Sequence, residues 1–438
     1  MAHKSRPFAK ALIIMALGLL AVPASGATLV VDQDGQATAT NCAGVAPAFV
    51  SIGAAVTAAL GGDTIVVCPG TAPYDEQVAI TKALTVKGFA QTRAVIRPTA
   101  LIANTTSAFS GAPIAALIVV ADTTATLTNL VFDGSGANMG GTDCSVPNII
   151  GVFYRNASGR LSDSTVEHIK LSPGLEGCQG GLGIFAQSGG GGTSDLIVDG
   201  VSVHDYQKNG VVGNEVGTTI VVTNSVVRGD PPANVSVQNG VQIGFGATGS
   251  VISNRITDQL YLPCTFPYVP GGGCDTGASL GVLVFDADTD VMVSENTISN
   301  TQGGIYIGGG IIQQGTNTSD IDSNSISATR VFDGIVIVGD DHNISRNIIT
   351  DSDEAGVFLI GSANTVLSNR IQEAAVGIWE YSGTGNSYPI AGARTNRLFD
   401  VAEPVVTSSP ISVQSTTHGR TAPTAAAAAA RTATPQRF

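Results

Sequence analysis

The sequence predicts an all-β solenoid, a chain that winds through short strands and stacks one coil on the next. Three observations carry this reading. The first is a recurring corner. In TVLSNRIQ, residues 365–372, Asn369 has Val366 three places before it and Ile371 two places after it. Asparagine is a poor strand residue and a good turn residue, so the pattern marks two short strands meeting at a tight bend. It recurs around Asn347, Asn324, Asn296, Asn254, Asn224 and Asp199, with aliphatic residues at every flanking position. The second observation is spacing. Counted back from Asn369, the centres lie 22, 23, 28, 42, 30 and 25 residues apart. A short minimum period with expandable inserts is the signature of a solenoid. The third is a marker that keeps step: Gly377, Gly356, Gly334, Gly304, Gly281, Gly240 and Gly210 each open another apolar run. Each coil then holds three short strands, and stacked asparagines form a staircase with steps of roughly 4.8 Å.

The elements follow in chain order. Residues 1–26 read as a secretory signal: Lys4, Arg6 and Lys10 are followed by the apolar ALIIMALGLLAV and the small-residue cleavage site ASGA. No later apolar run is long enough to span a bilayer. Residues 29–32 predict a strand, and SIGAAVTAAL, residues 51–60, a short helix that caps the open end of the first coil. The solenoid spans residues 27–400. Its largest insertion, residues 258–279, carries Tyr261, Phe266 and Tyr268 in a chain with 1 Trp, 8 Tyr and 14 Phe. Residues 401–438 are low-complexity and read as a disordered tail.

Composition narrows the function. Acidic residues outnumber basic ones 34 to 21, for a net charge of -13. This excludes nucleic acid and anionic membrane as natural partners, and disfavours a polyanionic substrate unless Ca²⁺ bridges the charges. Six cysteines in an exported chain suit disulfides, and sequence order pairs Cys42 with Cys68, Cys144 with Cys178, and Cys264 with Cys274. No Cys or His spacing of the usual zinc kind is present.

The segments GGDTIVVCPGTAPYDEQVAITKALTVKG, DYQKNGVVGN and VQNGVQIGFGATG resemble those of secreted right-handed parallel β-helix repeat proteins of the pectin-lyase-like superfamily. The resemblance covers roughly residues 28–400. It implies a single right-handed parallel β-helix and an exported protein that binds, or cleaves or modifies, a polysaccharide or cell-surface glycan. Any enzyme activity would be lyase, glycoside hydrolase or epimerase-like. The superfamily also contains adhesins and spikes, so a non-catalytic structural or adhesive role that displays loops on the solenoid stands beside it.

In polysaccharide-active relatives the cleft lies along the strand after the variable corner, here the Gly-led run. Alternation places Ile305, Ile335, Val357 and Ile378 inside, and Val212, Gln242, Leu283, Tyr306, Val336, Phe358 and Trp379 outside. Tyr306, Phe358 and Trp379, with Tyr261 and Tyr268, are therefore the candidate sugar-stacking residues, or else lie beneath a cover. No Asp, Lys or Arg stands in the stripe. Titratable residues gather instead at the variable corner: His168 and Lys170, then His204, Asp205 and Lys208, then Arg228 and Asp230, then Asp258. There the expected catalytic set is His204 as base, Lys208 and Arg228 holding an anionic or carbonyl group, and Asp258 orienting a partner. The same residues also read as a solvated polar corner. No cofactor is expected, except that Asp286, Asp288 and Asp290 offer oxygens to Ca²⁺. GDDHN, residues 339–343, resembles paired catalytic aspartates only superficially and reads as turn chemistry.

Overall fold

The computed structural model describes residues 26–34, 42, 49–89, 92–136, 141–229, 236–264, 277–288, 291–309 and 319–407. The segments read as signal and tail lie outside them up to residue 25 and beyond Thr407, whereas residues 401–407, read as the start of the tail, extend the strand Arg397–Thr407 paired to the last coil. Strands stack in parallel into three ladders. The first runs through 12 strands, from Thr28–Val31 to Thr365–Leu367. The second carries short strands such as Leu130–Asp133, Thr165–Glu167, Ser202–His204, Val226–Arg228 and Arg255–Thr257. The third carries the Gly-led strands, among them Asn148–Arg155, Leu182–Gln187, Asn209–Asn214, Asn239–Gly244, Leu280–Phe285 and Gly303–Gly308. In the last coils the second and third ladders fuse into the continuous strands Ile348–Ile360 and Arg370–Ser382, and Arg397–Thr407 follows.

One aliphatic core fills the bore, with Ile305, Ile335, Val357 and Ile378 inside as alternation requires. The leading glycines are dictated by stacking. A Cβ on Gly304 would lie 2.3 Å from the carbonyl oxygen of Gly334 in the next coil, so no larger residue fits. The helix Ile52–Ala58 sends Ile52, Ala55 and Val56 into the core. Ser51 Oγ caps its start, accepting from Ala54 N, and Lys82 Nζ donates to the Val56, Thr57 and Ala59 carbonyls at its end.

The asparagine staircase is present at the corner from the first to the second ladder. Asn254, Asn296, Asn324, Asn347, Asn369 and Asn396 are buried in one stack. Each Nδ2 donates to the next Oδ1 at 2.9–3.0 Å, and each backbone N–H donates to the same oxygen. The residue before each step from Asn254 to Asn369 holds a positive φ, as at Ser253 (56°), Ser323 (56°) and Ser368 (59°). Two earlier centres need correction. In their coils the inward aliphatics are Val222 with Val227 and Val198 with Val203, so Ser225 and Val201 occupy the step. Asn224 sits one place earlier at φ 50°, donating from Nδ2 to Asp199 Oδ1 at 2.8 Å. Runs such as TTIVVTNSVV admit either register, because consecutive valines satisfy a period-2 pattern in both.

The third ladder's outer face is buried, not open. Phe153, Phe185 and Val212 form one apolar cluster there. Leu283, Tyr306, Val336, Phe358 and Trp379 form a second. Among the early coils a returning segment bonds to this face, with Ser107 Oγ and Ala108 N donating to Gln187 Oε1. By contrast, the second ladder's outward residues are open: Val226, Arg228, Arg255, Thr297, Ser325, Ile348, Arg370 and Arg397 are all exposed.

Candidate functional site

The second ladder aligns Asp133, Glu167, His204, Arg228 and Thr257 in one outward row, each facing the next across a parallel rung. His168 and Asp205 follow Glu167 and His204 directly, and both hold positive φ, 57° and 55°. Their side chains meet the row. Asp133 Oδ1 lies 3.1 Å from His168 Nδ1, and Asp205 Oδ2 lies 3.8 Å from His168 Nε2 and 2.7 Å from His204 Nδ1. His204 Nε2 lies 3.3 Å from Glu167 Oε2. Carboxylate and imidazole therefore alternate through five residues over three coils.

Asp133 anchors the cluster. It is buried, and burial alone would raise its carboxyl; hydrogen bonds from Ser135 and the Arg97 guanidinium outweigh this and hold it below the usual carboxylate range. Ser135 N donates to Oδ1 at 2.8 Å and Arg97 Nε to Oδ2 at 2.7 Å. Glu167 and His204 are half-buried, so the cluster's outer part meets solvent. Chemically, such a chain can relay a proton or hold a cation.

Of the residues the sequence nominated, the structure brings His204 and Arg228 side by side in register. Asp258 stands two rungs past Asp205, at φ 65°, accepting from Asn300 Nδ2 at 2.6 Å and Thr257 Oγ1 at 3.0 Å. Lys208 lies beyond the turn, fully buried; its Nζ has no hydrogen-bond partner among the described residues, and burial pulls its amine down to about 8. The stacked position on the next coil, Gln238, likewise leaves Oε1 unpartnered.

Tyr261 packs half-buried against Cys264, Val331 and Phe332. Tyr306, Phe358 and Trp379 are buried in the covered face, with Phe358 and Trp379 edge-to-face at 5.2 Å. Asp286 is buried in a turn at φ 46° while Asp288 is exposed. Tyr268, Asp230 and Asp290 lie outside the described residues. In GDDHN, Asp340 Oδ1 accepts from Ser362 N and Asp341 takes φ 63°, which is turn chemistry. His342 instead enters a stack: its Nδ1 accepts from Ser319 N at 3.3 Å, and its own N–H donates to Asn364 Oδ1.

Sequence reasoning missed Asp133, Glu167 and Arg97. The signal was there: the fragments FD (132–133), VEH (166–168) and VHD (203–205) each put a titratable residue straight after an inward one. Also unforeseen were two glutamine clamps. Gln207 Nε2 donates to the Leu175 and Cys178 carbonyls at 2.8 Å, and Gln302 Nε2 to the Tyr261 and Cys264 carbonyls at 2.6 and 2.7 Å. Each clamp closes a loop that leaves the second ladder. The bonds Cys42–Cys68 and Cys144–Cys178 are formed. Cys264 is disulfide-bonded too, and its expected partner Cys274 lies outside the described residues.

No helix among the described residues is long and apolar enough to cross a membrane. No curated protein sequence matches the chain. A family model described as a right handed beta helix region matches residues 273–391. A lacto-N-biosidase from Eubacterium ramulus superposes with a TM-score of 0.53 at 8% identity, covering 87% of this chain and 68% of that one. The Dettilon tailspike protein superposes with a TM-score of 0.52 at 13% identity, covering 85% and 68%. At such identities the likeness is one of fold. Three stacked parallel ladders, the family match and both superpositions agree that this chain has the right-handed parallel β-helix fold.

Proposed function

We propose that this is an exported protein that binds polysaccharide along the outer face of its second ladder. One observation carries the reading: that face is the open one, and it presents mainly polar and charged side chains in two in-register rows, with Val226 and Ile348 the exposed apolar members. One row runs Asp133, Glu167, His204, Arg228, Thr257, Ser299, Ser327, Thr350 and Gln372. Successive rungs lie about 4.8 Å apart, so these nine rungs offer a hydrogen-bonding strip roughly 40 Å long. An extended sugar chain is a ligand of matching shape, with hydroxyls to pair all along it. The half-exposed carboxylates and imidazoles at the N-terminal end supply the strongest acceptors and any acid–base chemistry. The negative net charge favours a neutral or basic glycan. The signal-like N-terminus and the disulfides support export.

The test is a glycan array probed with the mature protein, with the Arg228→Ala/Gln372→Ala double variant beside it. Binding to one glycan class by the wild type, weakened at least tenfold in the variant, is expected. Equal binding by both would move the site off this face. No binding to any glycan would leave display of loops on the solenoid as the function.

A further inference from the structure

We propose that the carboxylate–imidazole corner binds one divalent transition-metal ion of the zinc class, through Asp133, Glu167, His168 and His204. The proposal goes beyond glycan binding and does not depend on it. Four lines of geometry and charge lead there.

Donor atoms of Asp133, Glu167 and His168 all lie within 4.8 Å of one another, and His204 Nε2 stands 3.3 Å from Glu167 Oε2. Two carboxylate oxygens and a His168 nitrogen thus converge, and His204 Nε2 borders this group from the far side of Glu167. They stand wider than a bound ion would hold them, and Glu167 and His168 are partly exposed and free to close.

With both imidazoles neutral, the hydrogen-bond inventory is unbalanced. A neutral imidazole has a single N–H. His204 faces a carboxylate oxygen from both ring nitrogens, and so does His168. If each ring donates to Asp205, two lone pairs remain, His204 Nε2 aimed at Glu167 and His168 Nδ1 aimed at Asp133. An ion seated between these four acceptors removes both mismatches at once.

Asp205 then has the place that outer-shell carboxylates take in metal sites. Its Oδ2 lies 2.7 Å from His204 Nδ1, which holds that ring's tautomer, and 3.8 Å from His168 Nε2, which it faces without a direct bond. Asp133 is braced in turn by Arg97 and Ser135. Finally, Asp133, Glu167 and Asp205 bring three carboxylates to the two rings, a negative surrounding that favours a cation. Arg228 stands on the next rung past His204, on the side away from Glu167. A mixed nitrogen and oxygen set selects Zn²⁺, Co²⁺ or Mn²⁺ over Ca²⁺ and Mg²⁺.

The test uses the mature protein stripped with chelator and no glycan present, so it stands apart from the array. Isothermal titration with Zn²⁺ alone should give one site per chain. His168→Ala and His204→Ala should each weaken it at least a hundredfold, Asp205→Asn ten- to a hundredfold, and Asp286→Asn not at all. Crystals of the wild type grown with Zn²⁺ should show one anomalous peak bonded to these donors, a readout independent of whether a variant folds. No Zn²⁺ binding, undiminished binding in the double histidine variant, tighter binding of Ca²⁺ than of Zn²⁺, or a peak elsewhere would each overturn the assignment.

Discussion

Two corners of the same coil have been built in opposite ways. From Asn254 to Asn369 the corner between the first and second ladders repeats one device: a residue in left-handed backbone, then a buried asparagine that satisfies the coil before it. The corner between the second and third ladders repeats nothing. It holds the carboxylate–imidazole chain, two glutamine-clamped loops and a buried lysine with no partner among the described residues. The uniform corner carries stability, because its buried asparagine amides are paired from rung to rung. The irregular corner leaves polar groups unpaired or exposed, and that is where ligand chemistry is available.

The sharpest way to break this comparison is Asn324→Ala. It removes donors to Asn347 Oδ1 and the Val293 carbonyl, and the acceptor of Asn296 N and Nδ2. Several buried partners are orphaned, so the expected loss is about 4 kcal/mol by denaturant unfolding. A loss under about 1 kcal/mol would erase the distinction between the corners.

The His342 stack extends the comparison to acid pH. Burial pulls its imidazole from 6.5 down to about 4, despite the nearby Asp340 and Asp341. The folded protein therefore takes up this proton less readily than the unfolded chain does. Its contribution is complete above pH 6.5 and is lost as pH falls toward 4, about 3 kcal/mol in all. Protonation at Nδ1 would also remove the acceptor for Ser319 N. Unfolding free energies of wild type and His342→Asn, measured from pH 7 to 4, should diverge over that window. Parallel curves would assign the acid sensitivity elsewhere.

The smallest effect expected is a gain. Lys208→Met removes a buried amine with no partner while keeping an unbranched chain, and should stabilise the protein by about 1–2 kcal/mol. Destabilisation would show that the amine has a partner that matters.

Regularity decided what could be read in advance. The staircase from Asn254 to Asn369 was legible because each step sits between one inward aliphatic on either side; Asn396, with the exposed Ala393 three places before it, was not. The inward and outward sets of the third ladder were legible for the same reason. Two steps slipped where valines run together. Glu167 and Asp133 went unseen because 37 and 34 residues separate Glu167 from its row neighbours His204 and Asp133, with the loop at residues 171–181 intervening. Lys208 was placed with His204 because four residues separate them, but the turn through Tyr206 and Gln207 carries it into the interior. Whether the outer face of the third ladder is covered depends on contacts far apart in the chain, which no local pattern encodes.

The glutamine clamps have a consequence for how such a protein can change. Gln207 and Gln302 each belong to the coil after the loop they hold, and each grips backbone groups of that loop, donating to its carbonyls and accepting from Leu171 N or Ser279 N. The grip is indifferent to the loop's side chains, and lengthening a loop costs little closure entropy. The clamped segments are thus interchangeable parts on a fixed spindle. A foreign loop of different length and sequence can be spliced between Leu175 and Cys178, or between Tyr261 and Cys264, while the strands on either side keep their partners.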